Sequence, residues 1–157
     1  MNWAIETFDQ LTSKEIYEIL RSRAEVFVKE QKISYVDPDG VDYKSWHIFA
    51  MDNDRICAYL RAFKDGEDTI KIGRVLTLIH GKGTGTQLMK YAISELKAKI
   101  GCKKIIMDAQ SGFFVYPSQK ENGTNEQDEP AKIKNWTLKP FAGKTVMLTS
   151  IQTSTSA

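Results

Sequence analysis

The spacing of apolar residues changes period several times along the chain, and each change marks an element. Ile16, Ile19, Leu20, Ala24 and Phe27 recur at helical spacing, while Lys14, Glu18, Arg21 and Glu25 fall on the opposite, solvated face. Thr12-Ser13-Lys14-Glu15 ahead of them is a capping box, so a helix is predicted over Ser13 to Lys29. Before it, Trp3 to Phe8 alternates aromatic and β-branched residues as a first or edge strand does. After it, residues 31–43 are rich in turn signals, Asp37-Pro38-Asp39-Gly40 among them. Trp46–Met51 and Arg55–Phe63 read as a hairpin turning at Asp52-Asn53-Asp54, and Thr69 to Ile79 as the next strand. Leu88, Met89, Ala92, Ile93, Leu96 and Ile100 then predict a second helix from Thr84 to Ile100, ended by Gly101. Lys103 to Ala109 is a short buried strand. The order β-α-loop-β-β-β-α-β predicts an α/β (α+β) mixed sheet covered by helices. A right-handed crossover through the second helix makes the strands on either side of it parallel.

One stretch organises the rest. Val75, Leu76, Leu78 and Ile79 form a near-continuous apolar run, as a strand buried on both faces does, and Gly81, Gly83 and Gly85 follow at once. Alternating glycines turn the backbone sharply and bring its N–H groups close to a ligand. The unpaired N–H groups and positive dipole end of the second helix point back at that turn, which makes an anion site suited to phosphate. The alternative is an ordinary glycine-rich connection. A P-loop would need glycine at position 76, which is Leu76, and Ser or Thr after Lys82, where Gly83 stands. A dinucleotide fingerprint starting at Gly81 fails at Thr86.

Composition narrows the partners. The chain has 157 residues and a formal net charge of +2 with dispersed basic residues, which argues for one domain and against nucleic acid. No apolar run reaches the ~18 residues of a membrane span, and no leader pattern stands at the N-terminus, so a cytoplasmic protein without a membrane partner is expected. Cys57 and Cys102 lie in or beside predicted strands without metal-pair spacing and read as buried thiols rather than a disulfide or metal pair. No metal site is expected.

His80-Gly81-Lys82-Gly83-Thr84-Gly85 resembles the pyrophosphate loop of the GNAT superfamily of N-acetyltransferases, Gln/Arg-x-x-Gly-x-Gly/Ala, with His80 in the Gln/Arg place. The resemblance extends to the ElaA-like group through Leu20 to Gln31, Asp37 to Gly40 with Asp42, His47, Ala58-Tyr59-Leu60-Arg61, Ile72-Gly73-Arg74-Val75 and Asp108-Ala109-Gln110-Ser111. It covers about residues 3–111. Beyond Ser111 the family pattern of a helix with Phe-Tyr and then Gly-Phe is not kept: Gln119 and Thr124 stand where Tyr and Phe belong if Gly123 is the family glycine. Divergence and an altered reading frame both remain open for that third. Trp136–Leu138 and Thr145–Thr149 resemble the last two strands. The expected organisation is one domain over residues 1–149 and a polar, frayed tail over 150–157.

The resemblance implies a GNAT-like fold, a mostly antiparallel sheet with a parallel pair flanking a coenzyme A cleft and helices on both faces. It implies direct acetyl transfer from acetyl-CoA, as co-substrate, to a primary amine of a small molecule or peptide. Val75, Leu76 and Thr77 would pair with the pantetheine amides, and a backbone N–H near Leu76 would polarise the thioester carbonyl. His80, Gly81, Lys82, Gly83, Thr84, Gly85 and Thr86 would surround the pyrophosphate. Tyr116 is the candidate acid for the leaving thiolate. Glu30, His47, or water ordered by Asp108 or Ser111 is the candidate base. Arg74 would line the acceptor site or pair with a carboxylate, and the acids of the loop around Asp37 to Asp42 suggest a cationic acceptor. Related folds often dimerise, so a homodimer is a further expectation. The competing reading is a catalytically impaired acyl-CoA-binding protein of the same fold.

Overall fold

The computed structural model describes residues 1–30, 32, 36–108, 132–133, 136–141 and 145–150. The strands are β1 (Asn2–Thr7), β2 (Trp46–Asp52), β3 (Arg55–Lys64), β4 (Thr69–Thr77), β5 (Lys104–Asp108), β6 (Lys132–Ile133), β7 (Trp136–Phe141) and β8 (Thr145–Ser150). They form one sheet in the order β1-β2-β3-β4-β5-β8-β7-β6. Among the described strands only β4 and β5 run parallel, joined across the helix α2 (Thr84–Ile100). The mixed sheet and the parallel pair are those expected. Ser150 is the last residue of β8, and residues 151–157, the remainder of the expected tail, lie outside the described residues.

Among the described residues, each face of the sheet carries one helical segment. Ile48, Ala58, Leu60, Ala62, Ile70, Ile72 and Ile105 pack under Leu88, Met89, Ala92, Ile93 and Leu96 of α2. On the other face Phe49, Ile56, Tyr59 and Leu76 pack with Ile19, Val26 and Phe27 from the first helical segment. Cys57 and Cys102 are buried free thiols, as expected.

The first helical segment starts where the cap predicts. Thr12 Oγ1 accepts from the Glu15 N–H at 3.2 Å, and the Thr12 N–H donates to Glu15 Oε2 at 2.8 Å. It is α-helical only over α1 (Ser13–Arg23), and Ala24–Glu30 continues in wider π turns. Its buried side also differs from the expected one. Leu20 and Ala24 are exposed, while Glu18, Ile19, Ser22, Arg23, Val26 and Phe27 are buried. The rotation has polar causes. Ser22 Oγ donates to the Ile56 carbonyl, Glu18 accepts from Arg21 and Arg55, and Arg23 is drawn inward by two aspartates.

Two bulges adjust the sheet. Cys57 is the extra residue between the Ala50–Ala58 and Met51–Ile56 pairs, so Ile56 and Tyr59 share a face although three positions apart. In β4, Tyr59 pairs with Leu76 but Arg61 pairs with Gly73, so Arg74 and Val75 together oppose Leu60. The β4 strand ends at Thr77, two residues before the predicted limit, and the Leu78 N–H still reaches the Cys57 carbonyl at 2.7 Å.

Candidate active site

Three features converge beside the carboxyl end of β4. The first is an opening in the sheet. Among the described residues the β4–β5 ladder runs from Thr69–Lys104 to Ile72–Met107, while β4 continues to Thr77. The bulge at Arg74 lies just past that point. Arg74 has φ +55°, in the left-handed region ordinarily left to glycine. It also shifts the alternation of β4. Ile72 faces α2, but Leu76, four residues on, packs on the α1 face, and Val75 stays with the α2 side. The apolar pair Val75-Leu76 is therefore a phase shift in one strand, which periodicity reads as burial on both faces.

The second feature is the glycine turn. Gly81 and Gly83 have φ +74° and +72°, and a Cβ at either would meet nothing within 4 Å, so both a left-handed backbone and an open outer face are present. Gly83 is the N-cap of α2 and supplies no side chain to its first N–H groups. The first helical bond runs from the Gln87 N–H to the Gly83 carbonyl at 3.0 Å, which leaves the N–H groups of Thr84, Gly85 and Thr86 without a helical partner. No acid stands in the first turn to offset the positive end of the dipole. His80, Gly81, Lys82 and Gly83 are exposed, Thr84 and Gly85 buried, and Thr86 half-buried. Residues of this chemistry fit an anionic diphosphate.

The third feature is a knot of three arginines and three aspartates that anchors the loop before β2. Asp37 is gripped from two sides. Its Oδ2 accepts from Arg23 Nε and its Oδ1 from Arg74 Nε, both at 2.7 Å. Its main-chain carbonyl takes Arg23 Nη2 at 2.9 Å and Arg74 Nη2 at 3.0 Å. Asp42 Oδ1 accepts from Arg23 Nη1 at 2.7 Å and Arg61 Nη1 at 2.9 Å. Asp39 holds Arg61 through both oxygens, at 2.7 and 2.6 Å. Arg23 is wholly enclosed, with 0% exposure, so its charge persists only because those acids surround it. Burial pushes Asp42 upward, but the hydrogen bonds and charges of Arg23 and Arg61 outweigh it and hold the carboxyl below its ordinary range. Asp39 is lowered too, first by its hydrogen bonds from Arg61. Three guanidinium groups thus answer three carboxylates, which removes the support that these acids gave to a cationic acceptor.

His47 sits against this knot with 1% exposure. Its Nε2 lies 2.9 Å from the Asp42 carbonyl and its Nδ1 2.9 Å from the Tyr59 hydroxyl. A carbonyl only accepts, so Nε2 carries the proton, Nδ1 is the acceptor, and Tyr59 donates. Burial pushes the His47 pKa down, against an upward pull from Asp42, and burial also pushes Tyr59 up, so both groups are neutral. The two ring nitrogens are occupied, and the ring has no route to a substrate proton.

The structure brings Val75, Leu76, Thr77 and the glycine turn to one end of the sheet. Asp108 closes β5 opposite Thr145 of β8. Tyr116 and Ser111 lie outside the described residues, and Glu30 is exposed at the end of the π segment. Arg23 and Arg61 entered the sequence reading only within stretches that carry the resemblance, with no role assigned to them. The signal for Arg23 was available: it falls between Ile19 and Phe27 on the buried stripe, where a charge demands an acid.

The model of the acetyltransferase (GNAT) family matches residues 13–113. A UPF0039 protein from Synechocystis is 37% identical over 100 residues, 60% of this chain and 65% of its own length, so the chain spans just under two thirds of that relative. Escherichia coli ElaA is 31% identical over 117 residues, 71% of this chain and 76% of its own, and its crystal structure superposes with a TM-score of 0.66, covering 71% and 79% of the two chains. The crystal structure of an acyl-CoA N-acyltransferase from Pseudomonas aeruginosa is 26% identical, covers 94% of this chain and 97% of its own, and gives a TM-score of 0.71. With the opened parallel pair and the glycine turn at the head of α2, these likenesses place the chain in the GNAT acetyltransferase family, in its ElaA-like group.

Proposed function

We propose that this protein transfers an acetyl group from acetyl-CoA to a primary amine of a small molecule or peptide. The observation that carries this is the juxtaposition of the open glycine turn with a β4 edge that, among the described residues, runs past its pairing with β5. The N–H groups of Gly81 to Thr86 hold the pyrophosphate, with Lys82 and His80 at its rim. The backbone of Val75 to Thr77, beyond the described pairs with β5, pairs with the pantetheine amides. A backbone N–H next to Leu76, from the side of Val75 and Thr77 that faces away from β3, polarises the thioester carbonyl. Positioning supplies most of the rate. Proton removal from the amine falls to water ordered by Asp108, since His47 is closed off, and Tyr116 is the candidate donor to the departing thiolate. His47 holds the loop through the Asp42 carbonyl instead.

The test is a pair of measurements on the full chain. Acetyl-CoA is expected to raise the melting temperature in a saturable way, because a ligand of the folded state must do so. Thiol release over a panel of primary amines then separates an enzyme from its rival. Saturable binding with no thiol release on any amine would favour an acyl-CoA-binding protein that lacks catalysis. No thermal shift with acetyl-CoA would remove both.

A further inference from the structure

We infer that Arg74 and Asp37 are positioning residues for acyl transfer: their ion pair holds the β4 bulge that sets the thioester-facing amides, a role that rests on the acetyl-CoA reading proposed above. Arg74 is the surplus residue of the bulge and bears φ +55° without being glycine. Such a conformation costs an L-residue about 1–2 kcal/mol. A strand left to itself would relieve that cost by flattening, which would change the register of Val75 and Leu76 against β3. The side chain opposes the flattening. Its Nε and Nη2 close on the carboxylate and carbonyl of Asp37, and Nη2 approaches Asp39 Oδ2 at 3.4 Å.

Asp37 is itself held from a second side. The buried Arg23 grips its other oxygen and the same carbonyl, and so ties the bulge to the last turn of α1. Had β4 kept regular alternation, position 74 would face the α2 cluster with Ile70 and Ile72, among side chains that offer a guanidinium no partner. The left-handed turn and the pairing to Asp37 therefore require each other. Distortion of β4 and the fixed position of the loop form one mechanical unit.

The experiment compares Arg74→Ala, Arg74→Gly and wild type, with acetyl-CoA and ADP as separate probes. ADP reports the glycine turn alone, whereas acetyl-CoA also needs the β4 edge. Arg74→Ala is expected to weaken acetyl-CoA about tenfold, the worth of roughly one net hydrogen bond, and to lower kcat, while ADP binding stays unchanged. Arg74→Gly is expected to recover a large part of the loss, because glycine takes φ +55° without strain. A residue that merely contacts an acceptor would show no difference between Ala and Gly. Equal acetyl-CoA affinity in all three proteins, equal loss in Ala and Gly, or parallel loss of ADP and acetyl-CoA would each overturn the inference. Should Arg74→Ala not fold, Arg74→Lys takes its place, since an ammonium lacks the fork that spans the Asp37 carboxylate and carbonyl. Wild type that binds neither probe would remove the cofactor reading itself. Cross-strand NMR contacts between Tyr59 and Leu76 in the ligand-free variants would still report the bulge in that case, and an unchanged register in Arg74→Ala would overturn the inference there too.

Discussion

His47 makes stability depend on pH in a fixed direction. Its folded pKa lies below the ordinary value because burial disfavours the imidazolium. The unfolded chain therefore binds a proton first as pH falls through about 6.5. Stabilisation is complete above that value, declines below it, and stops declining once pH passes the folded pKa. Asp39 and Asp42, both lowered, add a second decline that begins near the ordinary carboxylate range. The melting temperature is expected to fall between pH 7 and 5 in wild type, and His47→Gln is expected to flatten that first decline. The variant starts from a lower plateau, since a glutamine cannot satisfy both the Asp42 carbonyl and the Tyr59 hydroxyl, at a cost of about 1–3 kcal/mol. A melting curve series over pH checks both statements. At this scale the sequence exposed the participants but not their pairing. Asp37, Asp42, His47 and Arg74 all stood out, yet a loop aspartate reads as solvated until the arginines from α1, β3 and β4 are placed around it.

Among the elements, the turn into α2 was the most legible. Alternating glycines before a helical period leave little choice of backbone, and Gly83 and Gly101 both take the left-handed values expected of their positions. The turn also separates two demands on glycine. Asparagine tolerates a left-handed φ, so Gly83→Asn is expected to stay folded with a small loss in melting temperature. Its side chain would nonetheless occupy the open space where a phosphate must approach, and acetyl-CoA binding measured by calorimetry is expected to be lost. Retained affinity in that variant would mean that only backbone freedom matters at Gly83. The cap of α1 was equally readable, and Thr12→Ala is expected to cost about 1 kcal/mol in a denaturant titration, with no effect on ligand binding. The face of α1 was harder. Leu20 and Ala24 compete with Ser22 and Arg23 for the core, and hydrophobicity alone picks the wrong side because two hydrogen-bonded polar groups outweigh two small gains in apolar burial. The β4 bulge left no mark in the periodicity beyond an apolar pair that ordinary strands also show.

Across the described sheet, the parallel pair β4–β5 parts after Ile72–Met107, and β8 covers the far side of β5. The pairs from Lys104–Thr149 to Asp108–Thr145 cover the edge of β5. A chain cut after residue 131 would leave that edge bare, and exposed edges recruit other chains. Such a truncation is expected to elute from a sizing column as an associated species. Pro140 in β7 pairs with Val146 of β8, beyond the described β6 pairs at Trp136 and Thr137. The surplus residue in β4 carries one more consequence. Deletions inside strands usually turn every later side chain inside out. Removing residue 74 would do the opposite, because Gly73 and Leu76 would keep one face, Ile72 and Val75 the other, and Leu60 would find a single opposite number. That shortened chain is expected to fold into a smoother sheet that melts cooperatively yet ignores acetyl-CoA. The irregular residue is one the architecture could spare, and only the chemistry would miss it.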